Sequence, residues 1–349
     1  MRSFDRRTFK RTMIGVAVGL ALVAAGCGSD SDSSSDSVAT AGPSTDAPVT
    51  SDAAVTSEAT GTSEATGTSE ATGTSEAAST PPASDEASAA GLQRIVSLSP
   101  THTEILFAIG AGDQLVAVDE FSDYPAEALE LPHELSGFEP NVEAIAAYEP
   151  DLVVTGGDTT GLGDQLAAVD IDSWDGPAAM TLGDTYDQIE ELGAITGHEA
   201  EAAELVTQMQ TDIDEIVAAT PVPDVPLTLY HELDDSFFSA DSTTFIGELY
   251  GLLGLQNIAD EAEGDSGGYP QLNAEFIVSA NPDLIFLADT ICCQQTLATV
   301  SARPGWDAIA AVQNGNVFEM DDGVASRWGP RVVDYLADVS AAVQAAAPA

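Results

Sequence analysis

The chain has 349 residues, room for roughly two globular domains, and its 58 acidic against 9 basic residues give a formal net charge of -49. A field of that sign repels phosphate backbones and argues against nucleic acid as a partner. It suits solubility at high ionic strength, where self-repulsion is screened, as in a saline habitat.

Residues 1–26 read as an export signal. Arg6, Arg7, Lys10 and Arg11 precede an apolar, small-residue stretch from Met13 to Ala25 that is too short for a stable membrane-spanning helix. Ala24-Ala25-Gly26-Cys27 resembles a bacterial lipoprotein processing box, with Cys27 as the lipidated residue and Ala24 where Leu is usual. Arg6-Arg7-Thr8-Phe9 resembles a twin-arginine signal, and general export fits as well. Residues 27–91 are acidic and rich in Ser, Thr and Ala, without Lys or Arg. A hexad Thr-Ser-Glu-Ala-Thr-Gly starts at Thr56, Thr62 and Thr68 and begins again at Thr74. Such a segment cannot bury enough apolar surface to offset its ordering cost and is expected to be a disordered tether. The expected location is the extracytoplasmic face of the cell membrane, through a lipid on Cys27.

A folded region opens at residue 92. Arg94 to Leu98 predicts a strand, Thr101 to Ile109 a helix with Thr101 and Glu104 at capping-box spacing and Gly110 at its end, and Leu115 to Val118 a second strand. Asn141 to Ala147 predicts a helix leading through Pro150-Asp151 into the strand Leu152-Val153-Val154. Both units have echoes. Ser242 to Leu249, Gly254 and Asn257-Ile258-Ala259 mirror the first, and Asn273 to Val278 with Pro282-Asp283-Leu284-Ile285-Phe286 mirrors the second. Two matched pairs in the same order predict two similar α/β lobes with parallel sheets, an N-terminal lobe over 92–181 and a C-terminal lobe over 223–349.

Between them, residues 182–222 show helical recurrence of Ile189, Leu192, Leu205, Val206, Met209, Ile213 and Ile216, interrupted near Gly197-His198. This predicts a bridging helical segment, its later part long enough to cross from lobe to lobe. The expected fold is two Rossmann-like lobes joined by a long helix, with a ligand cleft between them.

Ile95-Val96-Ser97-Leu98-Ser99-Pro100, Thr103-Glu104, Phe121-Ser122-Asp123-Tyr124-Pro125, Arg303-Pro304-Gly305-Trp306, Ser326-Arg327 and Gly329-Pro330-Arg331 resemble the cobalamin and iron-siderophore binding proteins of ABC importers, the helical-backbone class. The resemblance spans about residues 92–340. It implies capture of a corrinoid, or alternatively a ferric siderophore or haem, and delivery to an ABC permease dimer with its ATPase. The folded domain is expected to be monomeric, with no catalysis and no cofactor. In that family one Glu on each lobe meets the permease, and the matching positions are Glu143 and Glu275.

Loops at the C-terminal ends of parallel strands line such clefts. That nominates Ser99, Pro100, Thr101, His102, Phe121, Tyr124, Phe138, Gly156, Gly157, Tyr230, Asp241, Arg327 and Trp328 as ligand contacts. Aromatics suit a flat macrocycle, and Arg327 a ligand oxygen. Arg331 is either a second such group or a helix anchor. Adjacent Cys292 and Cys293 form either a disulfide or two thiols, with no metal-ligand spacing around them. A surface-anchored metal-dependent hydrolase or adhesion protein is the reading from another class. It lacks a nucleophile elbow, a paired metal-binding His motif and a phosphate loop.

Overall fold

A computed structural model of the chain describes residues 93–262 and 266–346. The export signal, Cys27 and the acidic tether lie outside the described residues.

The N-terminal lobe comprises β1 (Ile95–Leu98), α1 (Pro100–Ala108), β2 (Leu115–Val118), α2 (Val142–Ala146), β3 (Leu152–Thr155), α3 (Leu162–Ala167) and β4 (Asp172–Asp175). Two helices follow, α4 (Leu182–Thr196) and α5 (Glu199–Ala219). The C-terminal lobe comprises β5 (Thr228–Glu232), α6 (Phe245–Leu252), β6 (Gln256–Asn257), α7 (Ala274–Ala280), β7 (Leu284–Leu287), α8 (Leu297–Ser301), α9 (Ala310–Asn314), β8 (Val317–Glu319), α10 (Asp322–Ala325) and α11 (Val332–Ala346).

Each lobe holds a four-stranded sheet, β2-β1-β3-β4 in one and β6-β5-β7-β8 in the other, and every pairing is parallel. The topology is thus repeated. The central strands β1, β3 and β7 are buried at every position, which is why they read as mostly apolar runs, broken only by the buried Ser97 and Thr155. The repeat extends to side chains. Asn141 and Asn273 cap α2 and α7 by accepting the N–H groups of Ala144 and Phe276, each at 2.9 Å. Asp151 and Asp283 each accept the N–H at the entry to the neighbouring strand, from Arg94 at 2.8 Å and Thr228 at 2.9 Å.

The linking segment is two helices. Gly197 turns the chain in the left-handed region (φ +79°), a conformation only glycine adopts without strain, and α4 packs back against α5. With 21 residues, α5 is about 30 Å long at 1.5 Å per residue. One hydrophobic core joins the two lobes through these helices: Ile105 and Leu106 of α1, Ile189 of α4 and Met209 of α5 cluster with Phe286 of β7 and Tyr335 of α11. Separate apolar clusters back the outer face of each sheet.

The Thr101–Glu104 capping box does not form. Pro100 occupies the first helical position, so Ser99 is the N-cap residue, and its side chain caps nothing. Glu104 is instead engaged across the lobes. Its buried carboxylate accepts from Arg331 Nε (2.9 Å) and Nη2 (2.6 Å) and from Arg327 Nη1 (2.7 Å). Arg331 is therefore a structural anchor, which resolves its two alternatives. Replacing Glu104 by Ala would leave two partly buried guanidiniums without their carboxylate, so we expect a loss of about 3–5 kcal/mol, read by urea unfolding. A loss below about 1 kcal/mol would show that the cluster contributes no more than a surface pair.

Candidate functional site

A cavity of about 710 Å³ opens where the C-terminal ends of β1, β2 and β3 meet the segment after α10. Nine of the residues nominated from sequence line it: Ser99, Pro100, Thr101, Phe121, Phe138, Gly156, Gly157, Arg327 and Trp328. Phe138 is 76% and Phe121 48% exposed, and their rings meet edge to face at 5.6 Å. Two large aromatic faces are thus left open at the mouth of the cavity.

His102 lies beneath the wall, fully buried. Trp328 Nε1, which can only donate, bonds Gln188 Oε1 at 3.0 Å, so that oxygen is an acceptor. His102 Nε2 meets the same oxygen at 2.9 Å and must carry the proton, which leaves Nδ1 to accept from Ser99 Oγ at 2.7 Å. Gln188 Nε2 in turn donates to the Pro177 carbonyl. A chain of hydrogen bonds thus runs from Trp328 through Gln188 and His102 to a serine in the cavity wall. Burial lowers the His102 pKa to about 4, against the opposing pull of the Gln188 bond, so the imidazole is neutral at physiological pH. A Cβ at Gly156 would stand 2.7 Å from Ser99 Oγ, so only glycine fits beside that hydroxyl.

The other nominated residues lie elsewhere. Tyr124 lines a second opening of about 680 Å³, with the Arg331 guanidinium 4.2 Å over its ring. Tyr230 is fully buried within β5 against Trp306, because β5 runs on to Glu232 and its end is two residues later. Asp241 accepts from the N–H and hydroxyl of Thr243 in the turn before α6 and lines neither opening. Arg327 does line the cavity, but its guanidinium is committed to Glu104, Asp123 and the Phe121 carbonyl. It holds Phe121 in place.

Sequence reasoning missed Asp119, Thr155, Asp158 and Ser326, which also line the cavity. Asp119 directly follows β2 as Ser99 follows β1, so the strand-end rule applied to β2 would have found it. Asp175 Oδ1 shapes the loop after β3 by accepting from Thr155 Oγ1 and the N–H groups of Gly157 and Asp158. Asp158 accepts the N–H groups of Gly163, Leu162 and Thr160, and these bonds, that from Gly163 foremost, hold its pKa below the usual carboxylate range.

Asp119 behaves in the opposite way. Burial raises its pKa from 3.8 to about 6, although a hydrogen bond from Ser122 and the nearby Arg327 charge pull it down. A carboxyl raised in the folded state favours folding below pH 4 and progressively loses that advantage as pH rises through 6. A rise of this size corresponds to about 3 kcal/mol. We therefore expect Asp119→Asn to be more stable than the parent protein at pH 7–8, with the difference closing toward pH 4. Equal stability across that range would show that Asp119 titrates normally.

Residues 95–324 match the family model described as periplasmic binding protein. The chain is 29% identical to the uncharacterized ABC transporter substrate-binding lipoprotein YvrC of Bacillus subtilis, over 72% of this chain and 80% of that protein. Among solved structures it is similar to the periplasmic vitamin B12 binding protein BtuF of Vibrio cholerae, at 29% identity and a TM-score of 0.60 over 73% of this chain and 97% of that one. It shares the fold of the periplasmic heme-binding protein RhuT from Roseiflexus, at 23% identity and a TM-score of 0.66 over 74% of this chain and 100% of that one. With two parallel-sheet lobes, a linking helical segment and a cavity at the strand ends, the chain belongs to the periplasmic binding protein family, as a substrate-binding component of ABC importers.

Proposed function

We propose that the cavity captures a corrinoid and that the protein, anchored by a lipid on Cys27, delivers it to an ABC permease. The observation that carries this reading is the charge of the site. All four arginines among the described residues are committed. Arg94 donates to the carbonyls of Tyr148 and Glu149, Arg303 pairs with Glu232, and Arg327 and Arg331 pair with Glu104. The chain's single lysine, Lys10, lies outside the described residues. An anionic ferric chelate or the propionates of haem would meet Asp119 and Asp158 with no uncommitted cation to offset them. Among the described residues, no His or Tyr lines the cavity to bind an axial iron site. A corrinoid asks for neither: its amide fringe donates to carboxylates and hydroxyls, and its flat faces suit Phe121 and Phe138.

The similarity to a vitamin B12 binding protein supports the same choice. The hydrolase reading finds a Ser99–His102 contact, but an imidazole with a pKa near 4 is too weak a base to activate a serine at neutral pH.

Titration with cyanocobalamin at high salt, followed by tryptophan fluorescence, is expected to saturate at micromolar or tighter affinity. Phe138→Ala should weaken binding roughly ten-fold or more without moving the unfolding midpoint. Saturation by haemin or a ferric trihydroxamate in place of cyanocobalamin would overturn the corrinoid reading.

Glu143 and Glu275 are exposed in the first turns of α2 and α7, two residues after the equivalent Asn caps. As the permease contacts, they would steer encounter with a basic partner while standing apart from the cavity lining. The double variant Glu143→Arg/Glu275→Arg should therefore retain ligand affinity while uptake of labelled ligand by importer-bearing cells falls roughly ten-fold or more. Unchanged uptake would refute the docking role.

A further inference from the structure

Between β7 and α8 the chain makes a loop over residues 288–296, and within it Cys292 and Cys293 are joined by a disulfide. The loop is held from its inner side. Asp322, the first residue of α10, accepts the N–H groups of Thr290 (2.9 Å), Ile291 (3.0 Å) and Cys292 (2.9 Å) and the Thr290 hydroxyl (2.8 Å). The Asp289 carbonyl accepts the N–H groups of Cys293 and Gln295. Gln295 Oε1 accepts from Arg303 Nη2 at 2.8 Å, and the same guanidinium grips the buried Glu232 with two bonds of 2.6 Å. The outer side is open: Ile291 is 68% exposed, Cys292 is exposed and Cys293 half-buried.

A disulfide stabilises a fold chiefly by restricting the unfolded chain, and the effect grows with the length of the closed loop. At a sequence separation of one residue this bond spans no chain and can hardly act as a global staple. What it restricts is the backbone of the loop itself. That loop shares Asp322 with the cavity wall, since Ser326 Oγ donates to the Asp322 carbonyl and Ser326, Arg327 and Trp328 line the cavity. Exposed disulfides are also the ones that exchange with external thiols.

We infer that Cys292–Cys293 is a reversible thiol–disulfide exchange site for a dithiol reagent, and that its oxidation state sets the order of the loop beside the ligand cavity. A thiolate of the reagent attacks one cysteine sulfur. The Cys292–Cys293 bond breaks, a mixed disulfide forms, and the other cysteine leaves as a thiolate that takes a proton from water. The reagent's second thiol then displaces the first cysteine. Two electrons and two protons pass to the protein, and the reagent ends as its own disulfide. The inference does not depend on which ligand the cavity takes.

The test uses the full chain, folded and without denaturant. After dithiothreitol and iodoacetamide, the peptide holding both cysteines should carry two carbamidomethyl groups, and without dithiothreitol it should carry none. On reduction, amide hydrogen exchange over 290–296 should rise roughly ten-fold or more while β5 and β7 stay unchanged, and oxidised glutathione should restore the slow rate. The double variant Cys292→Ser/Cys293→Ser should exchange like the reduced protein. Three outcomes would overturn the inference: thiols that never re-form the bond under oxidised glutathione, a bond that resists dithiothreitol until the protein unfolds, or loop exchange that is the same in all states.

Discussion

The arrangement of this molecule depends on one carboxylate. Glu104 sits on the first helix of the N-terminal lobe and is buried, yet it receives three charge-assisted bonds from Arg327 and Arg331, which precede the last helix. Burying such a cluster is costly, and a well-packed apolar substitute could match its stability. What an apolar patch would not supply is direction. The guanidinium of Arg327 also bonds Asp123 and the Phe121 carbonyl, so the same cluster that ties the lobes together fixes an aromatic wall of the cavity.

The shortage of cations follows from the same constraint. In a chain with 58 acidic residues, an arginine near the surface will find a carboxylate, and fixing it on a particular one requires burial. The structure does this with Arg303, Arg327 and Arg331, whose partners Glu232 and Glu104 are almost wholly inaccessible. Each arginine spent on the fold is lost to the ligand. The acidity therefore reaches into the cavity through the fold, where Asp119 and Asp158 line the wall and the nearest arginine, Arg327, is paired with Glu104.

The repeated core was legible because its strands are buried on both faces. Ile95–Leu98, Leu152–Thr155 and Leu284–Leu287 have no solvent side, so their residues are apolar except for the buried Ser97 and Thr155. The edge strand β4 is Asp-Ser-Trp-Asp and largely exposed, and it exists only because β3 offers a parallel edge, so no local pattern announces it. The Thr101–Glu104 spacing misled for a related reason. Local capping competed with a partner more than 220 residues away in sequence, and the buried ion cluster prevailed. In the site, the strand-end rule leads to cavity-lining positions where the strand ends are sharp, at Ser99 and Gly156. It failed at Tyr230, where the strand continues to Glu232 and the ring turns into the core.

The two lobes agree on their outer faces and differ within. Outside, the same devices recur: an Asn cap, a first-turn Glu, and an Asp that clamps the next strand. Equivalent positions on two pseudo-equivalent lobes are what a two-fold symmetric partner can use, since each half of the partner meets the same chemistry. Inside, β3 of the N-terminal lobe is followed by Gly156-Gly157, which line the cavity. Its counterpart β7 runs into Asp289 and the disulfide loop, whose N–H groups are taken up by the Asp289 carbonyl and the Asp322 carboxylate. The duplication is therefore kept in the caps and strand clamps and lost in the loops that follow β3 and β7.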